Sequence, residues 1–242
     1  MKAKKEKPKQ VQKQSAGRRI WRWTKRIFLF VFIAQLLYII ALKWIDPPIT
    51  ITQFVSWISG DGLKRDYVDG NEISTNLKLA VIASEDQVYP DHSGFDWKHI
   101  KKAMEKNEKA GEVRKGASTI SQQVAKNVFL WQGRDWIRKG LEIYFTKMIE
   151  WIWGKERILE VYVNVIEMGK GIFGAEAASQ AYFSKPAKNL TRKEAAMIAA
   201  CLPNPKVYTV KPLHRRVASK SNWVMAQMNY LQKDPDIQLV IK

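Results

Sequence analysis

The sequence predicts a mainly α domain held at a membrane by one N-terminal helix. Three observations carry this. A basic arm runs straight into an uncharged apolar stretch. From Ser74 to Leu231 the apolar residues recur at helical spacing between cap residues. No run of alternating apolar and polar residues long enough for a strand intervenes. The chain has 242 residues, 46% hydrophobic and 26% charged, enough for one domain plus extras and too apolar for disorder. One cysteine, Cys201, excludes an internal disulfide and a Cys-rich zinc site. Three histidines, His92, His99 and His214, leave little for a metal cluster.

The charge is uneven. Residues 1–26 hold eleven Lys/Arg against Glu6, so this arm supplies +10 of the net +18. The body that follows is only moderately basic, which removes most support for nucleic acid as a partner. Ile27–Leu42 is sixteen residues without a charge. With Lys43 snorkelling and Trp44-Ile45 added, residues 27–45 are expected to form a transmembrane helix, since about 17–25 residues span a bilayer. Trp21, Trp23 and Trp44 flank it as interfacial aromatics do. The basic flank puts residues 1–26 in the cytoplasm and everything after Asp46 outside. A cleaved signal peptide needs a small-x-small site after the apolar run. Ala41-Leu-Lys-Trp-Ile-Asp-Pro-Pro48 offers none, so an uncleaved anchor is expected. Pro47 and Pro48 end the span. Residues 46–72 read as a linker in which Phe54, Trp57 and Ile58 share one helical face. That face lies against the core or, as we expect, on the membrane surface. Residues 73–242 form the outer domain.

Within that domain, Ser74 or Thr75 caps a helix through Leu77, Ala80, Val81 and Ala83 that ends near Glu85. Asp96 caps a second, from Trp97 to about Asn107. Lys109–Gly116 reads as a basic loop. Ser118 caps a helix through Val124 and Val128. A long helix over about Trp136–Trp153 has Ile137, Leu141, Tyr144, Phe145, Met148 and Ile152 as its apolar stripe, and Gly154 breaks it. Glu156–Ile166 and the small-residue segment Ala175–Phe183 are helical. Thr191-Arg-Lys-Glu194 is a capping box for a helix ending at Leu202. His214–Leu231 is the last helix.

Four segments carry candidate chemistry. Glu85-Asp86 stands at a helix C-terminus, where a carboxylate opposes the macrodipole. Stability would favour Lys there, whereas a general base tolerates the placement. A solvated turn with inert surface acids is the plainer reading. Gly116-x-Ser118-Thr119 opens a helix whose free N–H groups suit an anion. Gln122 and Lys126 share a face, as do Gln123 and Asn127. Such a face is a sugar-binding wall or an ordinary solvated one. Arg134, Arg138, Lys139 and Glu142 read as a cationic wall with a second acid in it. Arg138 and Glu142, four apart, also suit a structural ion pair. Gly169–Phe183 is rich in small residues, for which close packing is the default reading. Cys201 reads as a small buried residue at a helix end, and His92 as a donor that stabilises a turn.

Together these segments resemble the glycosyltransferase family 51 domain, the peptidoglycan polymerase. Glu85-Asp86-x-x-Tyr89-x-x-His92-x-Gly94-x-Asp96 matches its first motif. Gly116-x-Ser118-Thr119-Ile120-x-Gln122-Gln123-x-x-Lys126-Asn127 matches the second and Arg138-Lys139-x-x-Glu142 the third. Lys155-x-x-Ile158-Leu159-Glu160-x-Tyr162-x-Asn164 matches the fourth, and the order holds over about Ile73–Pro205. Within that family the chain is similar to the monofunctional biosynthetic branch of Gram-negative bacteria.

The resemblance implies a lysozyme-like helical lobe with a small membrane-apposed jaw, occupying residues 73–242 as a glycosyltransferase domain. It implies polymerisation of lipid II into β-1,4 glycan strands with release of undecaprenyl diphosphate. It implies Glu85 as general base and Glu142 as a second acid. Lys126 and Arg134 would hold the donor diphosphate. Ser118, Thr119, Gln122 and Gln123 would line the site, and Arg138 and Lys139 would support Glu142 and the anion. A lipid diphosphate leaves as a stable anion, so cations can replace the acid that a glycosidase requires. A base acting opposite the leaving group inverts the anomeric carbon. The expected location is the bacterial inner membrane, with the catalytic domain in the periplasm. Lipid II, the growing glycan strand and the membrane are then the partners, with cell-wall synthesis or division proteins beside them. No metal ligand set is read. A Mg²⁺ or Mn²⁺ ion bridging Glu142 and the diphosphate is the one cofactor role to test. Two other readings stand: a membrane-bound lytic peptidoglycan glycosidase, which needs neither Lys126 nor Arg134, and a non-catalytic cell-wall scaffold, which does not need Glu85.

Overall fold

The computed structural model describes residues 16–110, 118–133 and 135–242. Arg134 and residues 111–117, which include Gly116 and most of the segment expected as a basic loop, lie outside the described residues. The chain divides into two units, Met1–Ala41 and Leu42–Lys242.

Among the described residues the first unit holds one helix, α1 (Ala16–Ala41). Gly17–Ala41 is long and apolar enough to cross a membrane. Phe28, Leu29, Phe30 and Val31 are all exposed, an apolar surface all round the helix. The helix starts inside the basic arm rather than at Ile27, because Arg and Lys are good helix formers. Lys25 sits over the Trp21 ring at 4.7 Å and Arg26 over Trp23 at 5.7 Å. The helix ends at Ala41, short of Ile45. In the second unit, the Arg157 guanidinium takes the carbonyls of Leu42 at 3.1 Å and Ile45 at 3.0 Å. Those carbonyls are therefore satisfied outside a helix.

The second unit begins with α2 (Ile51–Ile58), closed by a capping box between Thr50 and Gln53. Gln53 and Ser56 are buried, while Phe54, Trp57 and Ile58 are exposed, so its apolar face looks outward. There follow α3 (Thr75–Glu85), α4 (Trp97–Ala110), α5 (Ile120–Phe129), α6 (Trp136–Ile152), α7 (Lys155–Val165), α8 (Ala175–Phe183), α9 (Arg192–Cys201), α10 (Arg215–Leu231) and α11 (Pro235–Ile241). The unit is mainly α.

The core is built on α3, whose N-cap is Ser74. All residues from Leu77 to Ala83 are buried, so α3 has no polar stripe and runs through the middle of the unit. α9 and α10 pack against it. Ala195, Ala196, Ala199 and Ala200 on α9 are fully buried, and their small side chains allow that close approach. Cutting Leu77 or Ile82 back to Ala would cost roughly 2–5 kcal/mol. α5 packs on α6 and α7. Gly174 caps α8 with φ +88°, and a Cβ there would sit 2.5 Å from the Asn164 carbonyl oxygen. Only glycine fits where α7 and α8 meet.

Besides α11, a helix capped by Asp234 beyond the one read as the last, three features of this unit depart from the sequence reading. Strands β1 (Lys64–Arg65), β2 (Glu167–Gly169) and β3 (Ile172–Phe173) form a sheet of order β1-β3-β2. Lys64 pairs with Ile172 in parallel, and Glu167 with Phe173 antiparallel. Segments this short carry no alternation to read. The N-cap of α5 is Thr119, not Ser118. The third departure is the face of α6. Trp136, Ile137, Leu141 and Ile143 are exposed, while Arg138, Glu142, Thr146 and Ile149 are buried. Of the expected stripe, Phe145 does turn in, stacking on Phe129 at 4.7 Å. Ile137 and Leu141 face out because the charged residues satisfy one another inside. Gln132 donates to Thr52 at 2.7 Å and Asn127 at 3.2 Å, tying the turn before α6 to α2 and α5.

Candidate functional site

Glu85 is the last residue of α3, so the buried helix delivers its carboxylate from core to cleft. Oε1 accepts from Ser84 Oγ at 3.1 Å and faces Lys220 Nζ at 3.8 Å. Oε2 accepts from Gln123 Nε2 at 3.1 Å. Each of these partners is a donor. Burial pushes the Lys220 ammonium below its ordinary range, and Glu85 opposes that. The Gln123 Oε1 in turn accepts from the Tyr162 hydroxyl at 3.1 Å.

Asp86 has a different task. It is buried and accepts from His92 Nε2 at 3.1 Å and from the Ile120 N–H at 3.0 Å. The Gly94 N–H donates to His92 Nδ1 at 3.2 Å, which leaves the ring proton on Nε2. The Thr119 hydroxyl donates to the Gly94 carbonyl at 2.7 Å. The Glu85-Asp86 turn, the 92–94 turn and the start of α5 are thus one hydrogen-bonded assembly.

α5 brings Gln122, Gln123 and Lys126. Thr119 and Gln122, read from sequence as lining the site, also form the capping box of the helix. The Gln122 N–H donates to Thr119 Oγ1 at 3.2 Å, and the Thr119 N–H to Gln122 Oε1 at 3.0 Å. Their side-chain oxygens are spent on the backbone.

α6 brings the second acid. Glu142 Oε2 accepts from Arg138 Nη1 at 2.6 Å, and Oε1 from Lys139 Nζ at 2.5 Å. Burial pushes the Lys126 ammonium below its ordinary range. Glu142 works against that shift, while Arg138 and Lys139 add to it. Three cations around one carboxylate make a partly buried pocket with surplus positive charge. The buried Arg138 Nε has no partner among the described residues. An unpaired donor and surplus charge both favour an anion. A divalent cation does not fit here. Both Glu142 oxygens are held by cations, and no group of three His, Cys, Asp or Glu side chains that could hold a metal occurs among the described residues.

Two cavities flank Gln123. One of about 630 Å³ is lined by Lys126, Arg138, Lys139 and Glu142. The other, of about 670 Å³, is lined by Glu85, Lys102, Lys106, Lys220 and Trp223. Ser118 and Gln123 line both. The cleft therefore has a cation lobe and a carboxylate lobe with a shared wall. It brings together Glu85, Ser118, Thr119, Gln122, Gln123, Lys126, Arg138, Lys139 and Glu142, and Arg134 lies outside the described residues. Sequence reasoning missed Lys102, Lys106, Lys220 and Trp223. They reach the cleft from α4 and α10 by tertiary packing, with no local spacing to signal it.

The family model described as Transglycosylase matches residues 52–229. A biosynthetic peptidoglycan transglycosylase of Mannheimia succiniciproducens is 55% identical over 166 residues, 69% of this chain and 68% of that protein. Proteins of the same name from Shewanella oneidensis and Xanthomonas campestris are 46% and 44% identical. They cover 88% and 92% of this chain and 93% of their own lengths.

Proposed function

The chain belongs to the transglycosylase family, and on that premise we propose that it polymerises lipid II into the β-1,4 glycan strands of peptidoglycan, releasing undecaprenyl diphosphate. The observation that carries the reading is the division of one cleft into a carboxylate lobe and a cation lobe across the Ser118–Gln123 wall.

Glu85 takes the proton of the acceptor 4-hydroxyl as that oxygen attacks the donor anomeric carbon. The bond from this carbon to the diphosphate oxygen breaks, and its electron pair leaves with the diphosphate. Lys126, Arg138 and Lys139 stabilise the charge, together with Arg134 as the family resemblance implies, so no protonated acid is required at the leaving group. Glu142 holds Arg138 and Lys139 in position and limits their mutual repulsion. Attack opposite the leaving group inverts the anomeric carbon. General-base help from Glu85 is worth roughly 10²–10⁴-fold.

The membrane supplies the rest of the site. In this reading residues 1–26 are cytoplasmic, α1 is a single-pass anchor in the inner membrane, 46–72 lies along the surface and 73–242 works in the periplasm. The exposed Phe54, Trp57, Trp136 and Ile137 rest on the lipid and keep the cation lobe where a polyprenyl tail ends. A lytic glycosidase would need an acid to protonate a sugar alkoxide. It would leave the three cations without a task.

The test is polymerisation of labelled lipid II in detergent by the full chain and by Glu85→Gln, with glycan strands resolved on gels. Polymer from the wild type and none from the folded variant is expected. Equal polymer from both would remove Glu85 as base. Soluble fragments released from intact peptidoglycan, without polymer, would install the lytic reading, and silence in both assays a scaffold.

A further inference from the structure

Tyr162 on α7 is fully buried and lines neither cavity. Its hydroxyl donates to Gln123 Oε1 at 3.1 Å, and Gln123 Nε2 donates to Glu85 Oε2 at 3.1 Å. α7 is itself held firmly beside these residues. Asn164, two residues on and on the other side of the helix, donates to the Val68 carbonyl at 3.0 Å and accepts from the Val68 N–H at 3.2 Å.

A glutamine amide has nearly the same shape when turned over, so packing alone does not decide which end faces Glu85. With Glu85 ionised, only one orientation avoids setting acceptor against acceptor. The NH₂ must face the carboxylate. Oε1 then points into the protein, where an unpaired acceptor would be costly. The Tyr162 hydroxyl supplies the donor it needs. Burial, reinforced by the nearby Glu85, Cys201 and Asp86, holds this phenol well above its ordinary range, so it stays protonated. Lys220 on α10 faces the other Glu85 oxygen, which leaves Gln123 as the link between Oε2 and the α5–α7 interface.

We infer that Tyr162 is a positioning residue for the transfer: through the Gln123 amide it holds the Glu85 carboxylate in the direction from which it takes the acceptor proton. The inference rests on the reading of Glu85 as base. Tyr162→Phe deletes one oxygen and keeps the ring.

In the full chain this variant lowers kcat about tenfold and moves KM by less than about twofold, the signature of an interaction made in the transition state. In a Gln123→Ala background the same substitution causes no further loss, because the two residues act as one unit. An unchanged kcat, a loss confined to KM, or an equal loss in both backgrounds overturns the inference. A second readout is independent of turnover. The side-chain ¹⁵N resonance of Gln123 follows the ionisation of Glu85 in the wild type, is silent in Glu85→Gln, and loses its response in Tyr162→Phe. A response that survives Tyr162→Phe overturns the inference. A wild type that makes no polymer refutes the proposed function, and the amide titration still decides the role of Tyr162.

Discussion

The Asp86 carboxylate accepts a hydrogen bond from the Ile120 N–H at 3.0 Å. The residue beside Glu85 thereby caps the helix that carries Gln123 and Lys126, and the two lobes of the cleft share one anchor. A carboxylate at a helix N-terminus is favoured by the dipole.

Asp86→Asn tests that anchor. An amide oxygen in the place of Oδ2 can still accept from the Ile120 N–H and the His92 Nε2–H, but the NH₂ then stands where Oδ1 meets that same Nε2–H at 3.1 Å, donor against donor. A loss of roughly 1–3 kcal/mol is expected from the unsatisfied buried group. Thermal unfolding checks the stability and the polymerisation assay checks the activity. An unchanged melting temperature with intact activity would mean that the cap carries no weight.

Glu142→Gln removes the carboxylate that holds Arg138 and Lys139. Breaking a buried pair by deleting one partner costs about 3–5 kcal/mol, and the exposure of Lys139 places this case toward the lower end. Inorganic diphosphate should raise the melting temperature of this variant more than that of the wild type, because more positive charge is left unpaired. Equal shifts in the two proteins would put the anion site elsewhere.

Lys126→Met separates binding from stability. The folded lysine ionises below the ordinary 10.5 because of burial. Between its folded and unfolded values the unfolded chain binds the proton more tightly, so stability rises with pH across that window. At pH 7 the buried charge is therefore a cost. Lys126→Met should melt a few degrees higher than wild type at pH 7 and lose that advantage as pH approaches 10.5. Transfer should fall by about 10²-fold or more, as for loss of one transition-state charge contact. A variant that is less stable at pH 7 contradicts the first half of this prediction.

Cys201 should be inert in the folded protein. Its thiol is fully buried and donates to the Met168 carbonyl at 3.2 Å. Burial, with Glu85 adding to it, pushes the thiol up to about 12. Maleimide at pH 8 should label Cys201 only after denaturant is added. Stoichiometric labelling of the native chain would show that α9 opens readily.

Much of the frame was legible because local chemistry decided it. Ser74, Asp96 and Thr191 announce helix starts by the hydrogen bonds they can make, and Ala175–Phe183 is bounded by a glycine that nothing else could replace. The Glu85-Asp86 pair was legible as two acids at a helix end, but not as two different tasks. Only the packing of α5 against that turn makes Asp86 a cap and leaves Glu85 to the cleft. α6 was misread because its apolar residues were assumed to face protein. Lys220 and Trp223 follow Glu85 by more than a hundred positions, and the contact between α3 and α10 that joins them leaves no local trace.

The inverted face of α6 makes the start of that helix an incomplete structure in water. Most helices are fastened by an apolar stripe, but the first turns here bury Arg138 and Glu142 and leave Trp136 and Ile137 uncovered. A buried ion pair repays little beyond its own desolvation, so it fastens a turn less securely than packed carbon does, and amide protons along 136–142 should exchange before those of α3. Those turns present cations to the inner side and apolar rings and chains to the outer. On the proposed function, a lipid diphosphate donor would bring an anion to the first side and a hydrocarbon tail to the second in one molecule. Ordering of the helix and capture of the donor would then be a single equilibrium, and an idle enzyme would keep this part of its site only loosely assembled.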